Sequence, residues 1–352
     1  MPVLRRWSYR QVYLLLALLL VVAIVASASI GAFTFPPSRM ISFVGEVMGF
    51  VPKKLDDALD RNVFFLLRLP RVLLCAFTGA TLGASGAIMQ GLFRNPIVEP
   101  GLAGTSAGAA LGASAVFVFG TIATLSPLGT AAVPVCAFVG SLIATLLVYK
   151  LSTSFGRTDV FTLLLAGIAV NAICGAGTGF LSYVARDPQA RNITFWNLGT
   201  FTTANWGVAL LVGAAFAGCF VSALRDGKHL NALMLGEDNA AYAGVNPEKL
   251  ILRLIVINTV MVSVATAMVG VIAFVGLVIP HLLRMLRSAD YTFVLPASAL
   301  LGAAVMEIVD IVARLVVRPA ELPIGIMTAL LGAPFFLHIL IRQRGAKGGF
   351  NG

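Results

Sequence analysis

Apolar runs of about twenty residues, parted by short polar turns, follow one another along almost the whole chain. That is the length a helix needs to cross the hydrocarbon core of a bilayer. Charged residues are only 11% of the total, against about 25% in soluble domains, and hydrophobic residues are 59%. Such a chain cannot cover a soluble surface, so it reads as an all-α integral membrane protein. The formal charge of +10 points to cytoplasmic loops rich in Lys and Arg rather than to nucleic acid.

The runs place spans near 12–33, 71–93, 101–120, 128–150, 159–183, 206–224, 251–272, 274–287, 292–315 and 323–341, about ten in all. Arg5, Arg6 and Arg10 precede the first, which is too long for a signal-peptide core and lacks a clear cleavage site. With both termini cytoplasmic, most Lys and Arg fall on that side, which favours an N-in, C-in topology. Cys75, Cys136, Cys174 and Cys219 all lie in apolar runs without metal or redox spacing and read as packing residues.

Residues 161–172 and 322–333, in the fifth and tenth spans, share a Phe- or Pro-led start and a glycine-containing centre. Five spans per half would make the halves run in opposite directions, as inverted repeats do in transporters. Gly104, Gly108 and Gly112, and Gly79 and Gly83, recur every four residues. That spacing puts small residues on one face and lets backbones approach.

Polar groups inside a membrane cost about 2.5–3.5 kcal/mol at the centre on insertion scales. Glu307, Asp310 and Arg314 share a face of the ninth span, with Asp310 and Arg314 in the favourable i,i+4 order. They suit a structural ion pair near the helix end or, alternatively, a proton relay. Arg68 and Arg71 flank Pro70 at the mouth of the second span. With Arg314 they would form a basic rim, or snorkel at the interface. Asn171 sits mid-span, as a pathway residue or an interhelical hydrogen bond. Residues 186–206 form a loop whose Phe195, Trp196 and Gly199 suggest a short interfacial helix. The 225–250 loop suggests two short helices broken at Gly236 and Gly244. Its Leu230, Leu233, Met234 and Tyr242 would leave an apolar patch unless covered. His229, His281 and His338 fall in or near cytoplasmic segments, away from a central cargo site.

The combination of Arg68-Leu69-Pro70-Arg71, Met89-Gln90, Arg94-Asn95-Pro96-Ile97-Val98-Glu99-Pro100 and Gly104-Thr105-Ser106-Ala107-Gly108 is distinctive. Leu235-Gly236-Glu237, the run from Phe274 to His281, and Glu321-Leu322-Pro323-Ile324-Gly325 follow later. From about residue 60 to 342 the chain resembles the permease subunit of type II ATP-binding-cassette (ABC) importers, which take up haem, ferric siderophores and cobalamin. The Thr194-Phe195-Trp196-x-Leu-Gly run looks most like the haem-importing members.

The resemblance implies the type II importer permease fold: one permease domain over 1–352, with a coupling loop at 226–250 and a mouth loop at 186–206. It implies a homodimer in the bacterial inner membrane and two ABC ATPase subunits carrying ATP and Mg. A periplasmic substrate-binding protein would dock outside, haem would be the transported substrate, and no cofactor, metal site or nucleic acid is expected. Arg68, Arg71 and Arg314 would receive the binding protein. Leu230, Leu233, Met234, Leu235, Gly236, Glu237 and Tyr242 would couple to the ATPase. Asn95, Ile97, Ser152, Thr153 and Ser154 would form the cytoplasmic gate, and Asn171, Phe195 and Trp196 the path. The chain is not expected to be an enzyme, and it has no Gly-x-x-x-x-Gly-Lys-[Ser/Thr] phosphate loop. The rivals are a secondary transporter using Glu307 and Asp310, and a membrane-embedded enzyme, for which no convergent acid, base or nucleophile set is visible.

Overall fold

The computed structural model describes residues 7–31, 34–50, 58–120, 126–154 and 157–347. Arg5, Arg6 and the expected end of the first span at Phe33 lie outside them. Helix α1 (Tyr9–Ser29) begins earlier than the apolar run because Ser8 and Gln11 form a reciprocal capping box. Then come α2 (Pro37–Val47) and α3 (Ala58–Asn62), which continues through a π-helical turn (Val63–Arg68) into α4 (Leu69–Leu92). The second span is thus longer than its apolar run. A 3-10 turn (Pro100–Ala103) leads to α5 (Thr105–Phe119), and α6 (Ala132–Ser152) follows. A two-residue antiparallel hairpin, β1 (Thr153–Ser154) with β2 (Arg157–Thr158), precedes α7 (Val160–Val184). The rest is helical: α8 (Gln189–Asn197), α9 (Trp206–Leu224), α10 (Gly227–Met234), α11 (Glu237–Tyr242), α12 (Pro247–Val269), α13 (Val275–Leu286), α14 (Tyr291–Val316) and α15 (Ile324–Lys347).

Each of the ten expected spans has a helix, with shifted ends. Among the described residues, six helices are long and apolar enough to cross a membrane, and α5, α13 and the Ile324–Leu337 part of α15 are shorter apolar helices. Helix α2 is an addition. It falls in what the sequence suggests is a loop, starts with proline in its first turn, and buries Phe43 against Phe35 and Phe64.

Burial sorts the spans. The most apolar stretch of Ala58–Leu92 is 89% buried and that of Pro247–Val269 72%, against 22–33% for the other four spans. Helices α4 and α12 are therefore central, and α14 is as heavily buried along its length as α12. Helix α4 lies along α14 at very short range. A Cβ at Gly83 would fall on the Ser298 carbonyl oxygen, and one at Gly79 on that of Gly302. Helix α5 approaches α6 in the same way, through Gly108 against Gly140 and Gly112 against Cys136. Gly104 precedes the helix as its left-handed cap, yet it too faces Ala144 of α6.

The inverted repeat is visible in the packing. Helix α4 packs on α13 and α14, and α12 packs on α5 and α6. These partners exchange when the chain is shifted by five spans. Both α5 and α13 also start from a left-handed residue, Gly104 (φ 90) and Phe274 (φ 68). The 161–172 and 322–333 similarity falls on α7 and α15, which occupy equivalent places in this scheme.

The seam makes a prediction. Gly83→Leu would push α4 off α14 and lower stability by about 1–3 kcal/mol, the usual range for overpacking. Gly218→Ala on α9, where an added Cβ meets nothing within 4 Å, would be neutral or better. Thermal unfolding of the detergent-solubilised variants measures both.

Candidate functional site

The functional residues gather at the two ends of the bundle. One end, the mouth, carries the starts of α4 and α15, the end of α14, and α8. The other, the loop end, carries the α4–α5 turn, the β1–β2 hairpin and α10–α11.

At the mouth, Arg68, Arg71 and Arg314 converge, as the sequence suggests, but they do not form an open rim. Arg68 and Arg314 are each only 8% exposed. Helix α1 ends there with carbonyl oxygens that have no helical donor. Arg314 supplies donors to Ile30 O (2.7 Å) and to Ser27 Oγ (2.8 Å), and Arg68 also donates to Ile30 O. A cation at a helix C-terminus is favoured by the helix dipole. These two arginines are turned inward because they fasten the end of α1.

Asp310 sits between two guanidiniums. Its Oδ2 lies 2.9 Å from Arg314 Nε, the expected i,i+4 pair, and its Oδ1 is 2.8 Å from Arg71 Nη2. Arg71 Nη1 also bonds both carboxylate oxygens of Glu321, at 2.8 and 3.0 Å. Glu307 shares this face of α14 and is fully buried.

Arg71, Asp310 and Glu321 line a cavity of about 500 Å³ together with Phe195, Trp196 and Pro323. Phe195 is exposed and Trp196 partly buried, both on α8. The short helix expected in 186–206 is therefore present. Backbone bonds hold it: Gly325 N donates to Leu198 O (2.8 Å) and Ile324 N to Gly199 O (3.1 Å). Asn171 on α7 donates to Gly101 O (3.2 Å) and lines a second cavity of about 360 Å³ with Ser106 and Thr178. It thus makes the interhelical bond and also faces open space.

At the loop end, the α4–α5 turn is built around Asn95, whose side-chain oxygen accepts from Ile97 N (3.0 Å), an Asx turn. The Ile97 side chain is left half exposed at 49%. Ser152 is buried and Ser154 exposed. The Ser152 and Thr153 hydroxyls both donate to Tyr149 O at 2.9 Å, and Thr153 and Thr158 are bonded across the hairpin at 3.0 Å. Arg94 and Asn95 share a cavity of about 370 Å³ with Asp159 and Phe161, so the turn lies beside the start of α7.

The 225–250 loop forms two helices broken at Gly236 (φ 109), and Gly244 (φ 82) follows α11. The expected apolar patch is smaller than the sequence suggests. Leu230 and Leu233, one turn apart, are fully buried under α10, whereas Met234, Leu235 (72%) and Tyr242 (91%) remain exposed. Asp226, buried at the start of α10, pairs with Arg253 and with His229 Nδ1 (3.0 Å). Asn231 donates to Asp290 Oδ1 (2.6 Å) and accepts from Tyr291 N (2.8 Å), joining α10 to the start of α14. Burial opposes ionisation of Asp290, but hydrogen bonds from Asn231 and Thr292 outweigh it and hold the carboxyl below its ordinary range.

Several polar links have no signal in the linear sequence. Gln90 donates to Leu277 O (3.1 Å) and accepts from Arg284, Glu99 accepts from Phe274 N (3.0 Å), and Arg94 pairs with Glu237 (2.7 Å). Each joins residues more than 140 positions apart.

The FecCD transport family matches residues 19–342. The chain belongs to that family. It is 39% identical over 335 residues to the hemin transport system permease protein HmuU of Yersinia pestis, covering 95% of this chain and 96% of that one. It is 37% identical over 345 residues to the vitamin B12 import system permease protein BtuC of Klebsiella pneumoniae, covering 97% and 95%. Against the cobalamin import system permease protein BtuC of Halobacterium salinarum the identity is 38% over 275 residues, covering 78% and 72%. A solved structure, an inward-facing conformation of a metal-chelate type ABC transporter, superposes with a TM-score of 0.81 at 32% identity, covering 95% of this chain and 99% of that one. The chain is thus a multi-pass permease of the type II importer fold.

Removing Arg314 tests the mouth cluster. Arg314→Met leaves Asp310 with one partner and the α1 end capped by Arg68 alone. Breaking one side of a buried pair costs about 3 kcal/mol. Hydrogen exchange at residues 27–31 should accelerate, while the α4–α14 seam keeps its protection.

Proposed function

We propose that this chain is the membrane-spanning half of an ATP-driven importer that carries haem across the bacterial inner membrane by alternating access. The observation that carries the cargo reading is the 39% identity to a hemin transport permease over nearly the whole of both chains, joined by the Thr194-Phe195-Trp196-x-Leu-Gly run that resembles the haem-importing members. Haem is the substrate, and no cofactor is held stably by the chain.

Two copies form a homodimer with the path along its axis. Helix α7 exposes Leu165, Ile168 and Phe180, and α15 exposes Leu330, Leu331 and Leu337. These faces meet the partner copy or the path, with lipid around the rest. Two ABC ATPase subunits, each holding ATP and Mg, bind α10 and α11 through Met234, Leu235, Gly236, Glu237 and Tyr242. Leu230 and Leu233 anchor those helices from beneath. Both termini are cytoplasmic, on the same side.

The periplasmic substrate-binding protein docks at the mouth. Arg71 meets it first, and Arg68 and Arg314 add their positive field from below, which steers and registers docking more than it adds affinity. Asn171, Phe195 and Trp196 line the way in. Asn95, Ile97, Ser152, Thr153 and Ser154 close the cytoplasmic end. Asp310, held between Arg71 and Arg314, is a poor site for a coupling ion, which disfavours a secondary transporter.

The cobalamin permeases among the relatives justify a second cargo arm. Proteoliposomes containing this chain, its ATPase and binding proteins loaded with hemin, cobalamin or a ferric siderophore would be assayed for uptake. Hemin uptake that needs ATP and falls about tenfold or more in Arg71→Glu, with a charge reversal of this kind costing several kcal/mol at an interface, is the expected result. Uptake of cobalamin or the siderophore alone would overturn the cargo, and uptake without ATP would overturn the mechanism.

A further inference from the structure

Among the described residues, two that are not glycine hold a left-handed backbone: Arg94 (φ 51) and Phe274 (φ 68). That region is disfavoured for side chains of this size and persists only where the surroundings impose it. The same short segment is attached to both residues. At one end, Arg94 Nη2 lies 2.7 Å from Glu237 Oε1, in the first turn of α11. At the other, Glu99 Oε1 accepts from Phe274 N at 3.0 Å, capping a donor at the start of α13 that has no helical partner.

Between these points the chain is short and internally braced. Asn95 Oδ1 accepts from Ile97 N, and Asn95 O accepts from Val98 N. Beyond Phe274 the contact continues: a Cβ at Gly332 of α15 would strike the Phe274 side chain, and one at Gly276 of α13 would strike Pro100. A continuous set of contacts therefore runs from α11, through residues 94–100, to the break before α13 and on to α15.

We propose that residues 94–99 act as a strap that carries motion of α11 to α13 and α15, with Arg94 and Glu99 as its positioning residues. This rests on reading α10–α11 as the ATPase-docking surface. The Arg94–Glu237 pair is one-third or more exposed on each side, so it adds little to stability. Its value lies elsewhere. A link need only differ between two states of the permease to bias them, and this one joins helices that are far apart in sequence. The left-handed backbone of Arg94 is set by the end of α4, where Arg94 N donates to Gly91 O and Asn95 N to Gln90 O at 3.2 Å, so the pair ties α11 to a turn of fixed shape that also bears Asn95 and Ile97.

The readout is hemin moved per ATP hydrolysed in proteoliposomes of the full complex, with the melting temperature of each variant measured alongside. Arg94→Glu and Glu237→Arg should each lower that ratio roughly three- to fivefold, the upper range for losing an exposed pair, without lowering the melting temperature. Because Glu237 also faces the ATPase, the double reversal is compared with Glu237→Arg alone, and it should raise the ratio at least about twofold above that single variant. Arg94→Gly supplies a second arm, because it adopts the left-handed backbone freely but cannot form the pair. It too should lower the ratio. Glu99→Ala should do the same, from the other end of the strap. An unchanged ratio in the single variants, a full ratio in Arg94→Gly, or no recovery in the double reversal would each overturn the proposal. A native complex with no ATP-driven uptake of any cargo would instead overturn the importer reading on which the strap depends.

Discussion

Everything in this bundle depends on how closely α4 can approach α14. Apolar side chains gain nothing by leaving lipid for one another, so packing and polar contacts must hold membrane helices together. Gly79 and Gly83 on one side, and Ser298 and Gly302 on the other, let the two backbones touch. That contact brings Arg71, near the start of α4, to Asp310, near the end of α14. Had the seam been lined with leucine, the helices would stand farther apart and the pair would open.

The polar clusters at the two ends of α4 serve different purposes. At the mouth, arginines cap the end of α1 and clamp Asp310, which fastens three helices where the chain would otherwise have uncapped carbonyls. At the loop end, α10 is fixed to α14 through Asn231 and Asp290, while Leu235 and Tyr242 are left in the open. The 226–250 loop is thus fixed on its inner face and presents Leu235 and Tyr242 among exposed polar residues such as Asp238 and Lys249 on its outer one. The break before α13 repeats the one before α5 with Phe274 in place of Gly104. A left-handed glycine costs little and a left-handed phenylalanine costs more, so the second half needs the Glu99 bond that the first half does not.

Much of the fold was legible because lipid imposes a simple rule on composition and length. Ten helices lie where ten apolar runs are found, and the i,i+4 spacing of Asp310 and Arg314 foretold their pair. Boundaries shifted where capping residues such as Ser8 and Asn246, neither of them apolar, extend a helix past its run. Helix α2 escaped because its eleven residues are too short and too mixed to read as a span. Among the candidate site residues, membership of a loop could be read, but the direction of each side chain could not. Leu230 and Leu233 turned inward and Leu235 outward because α10 is amphipathic against α4 and α14, a fact of tertiary placement. Arg68 and Arg314 look like rim charges until the end of α1 is placed beside them. The Arg94–Glu237 and Glu99–Phe274 links left no trace in the linear sequence, since nothing local to either partner reports the other.

If two copies of this chain enclose a path whose cytoplasmic end opens and closes with ATP, the distance between their two hairpins must change with nucleotide. Ser154 is exposed at the tip of the β1–β2 hairpin, where a spin label would not disturb packing. With the four native cysteines replaced, dipolar spectroscopy on the full complex would report the distance between the two labels. Two distance populations are expected, with proportions that shift when ATP is bound and return after hydrolysis. A single distance that ignores ATP, or no intermolecular distance at all, would contradict alternating access in such a pair.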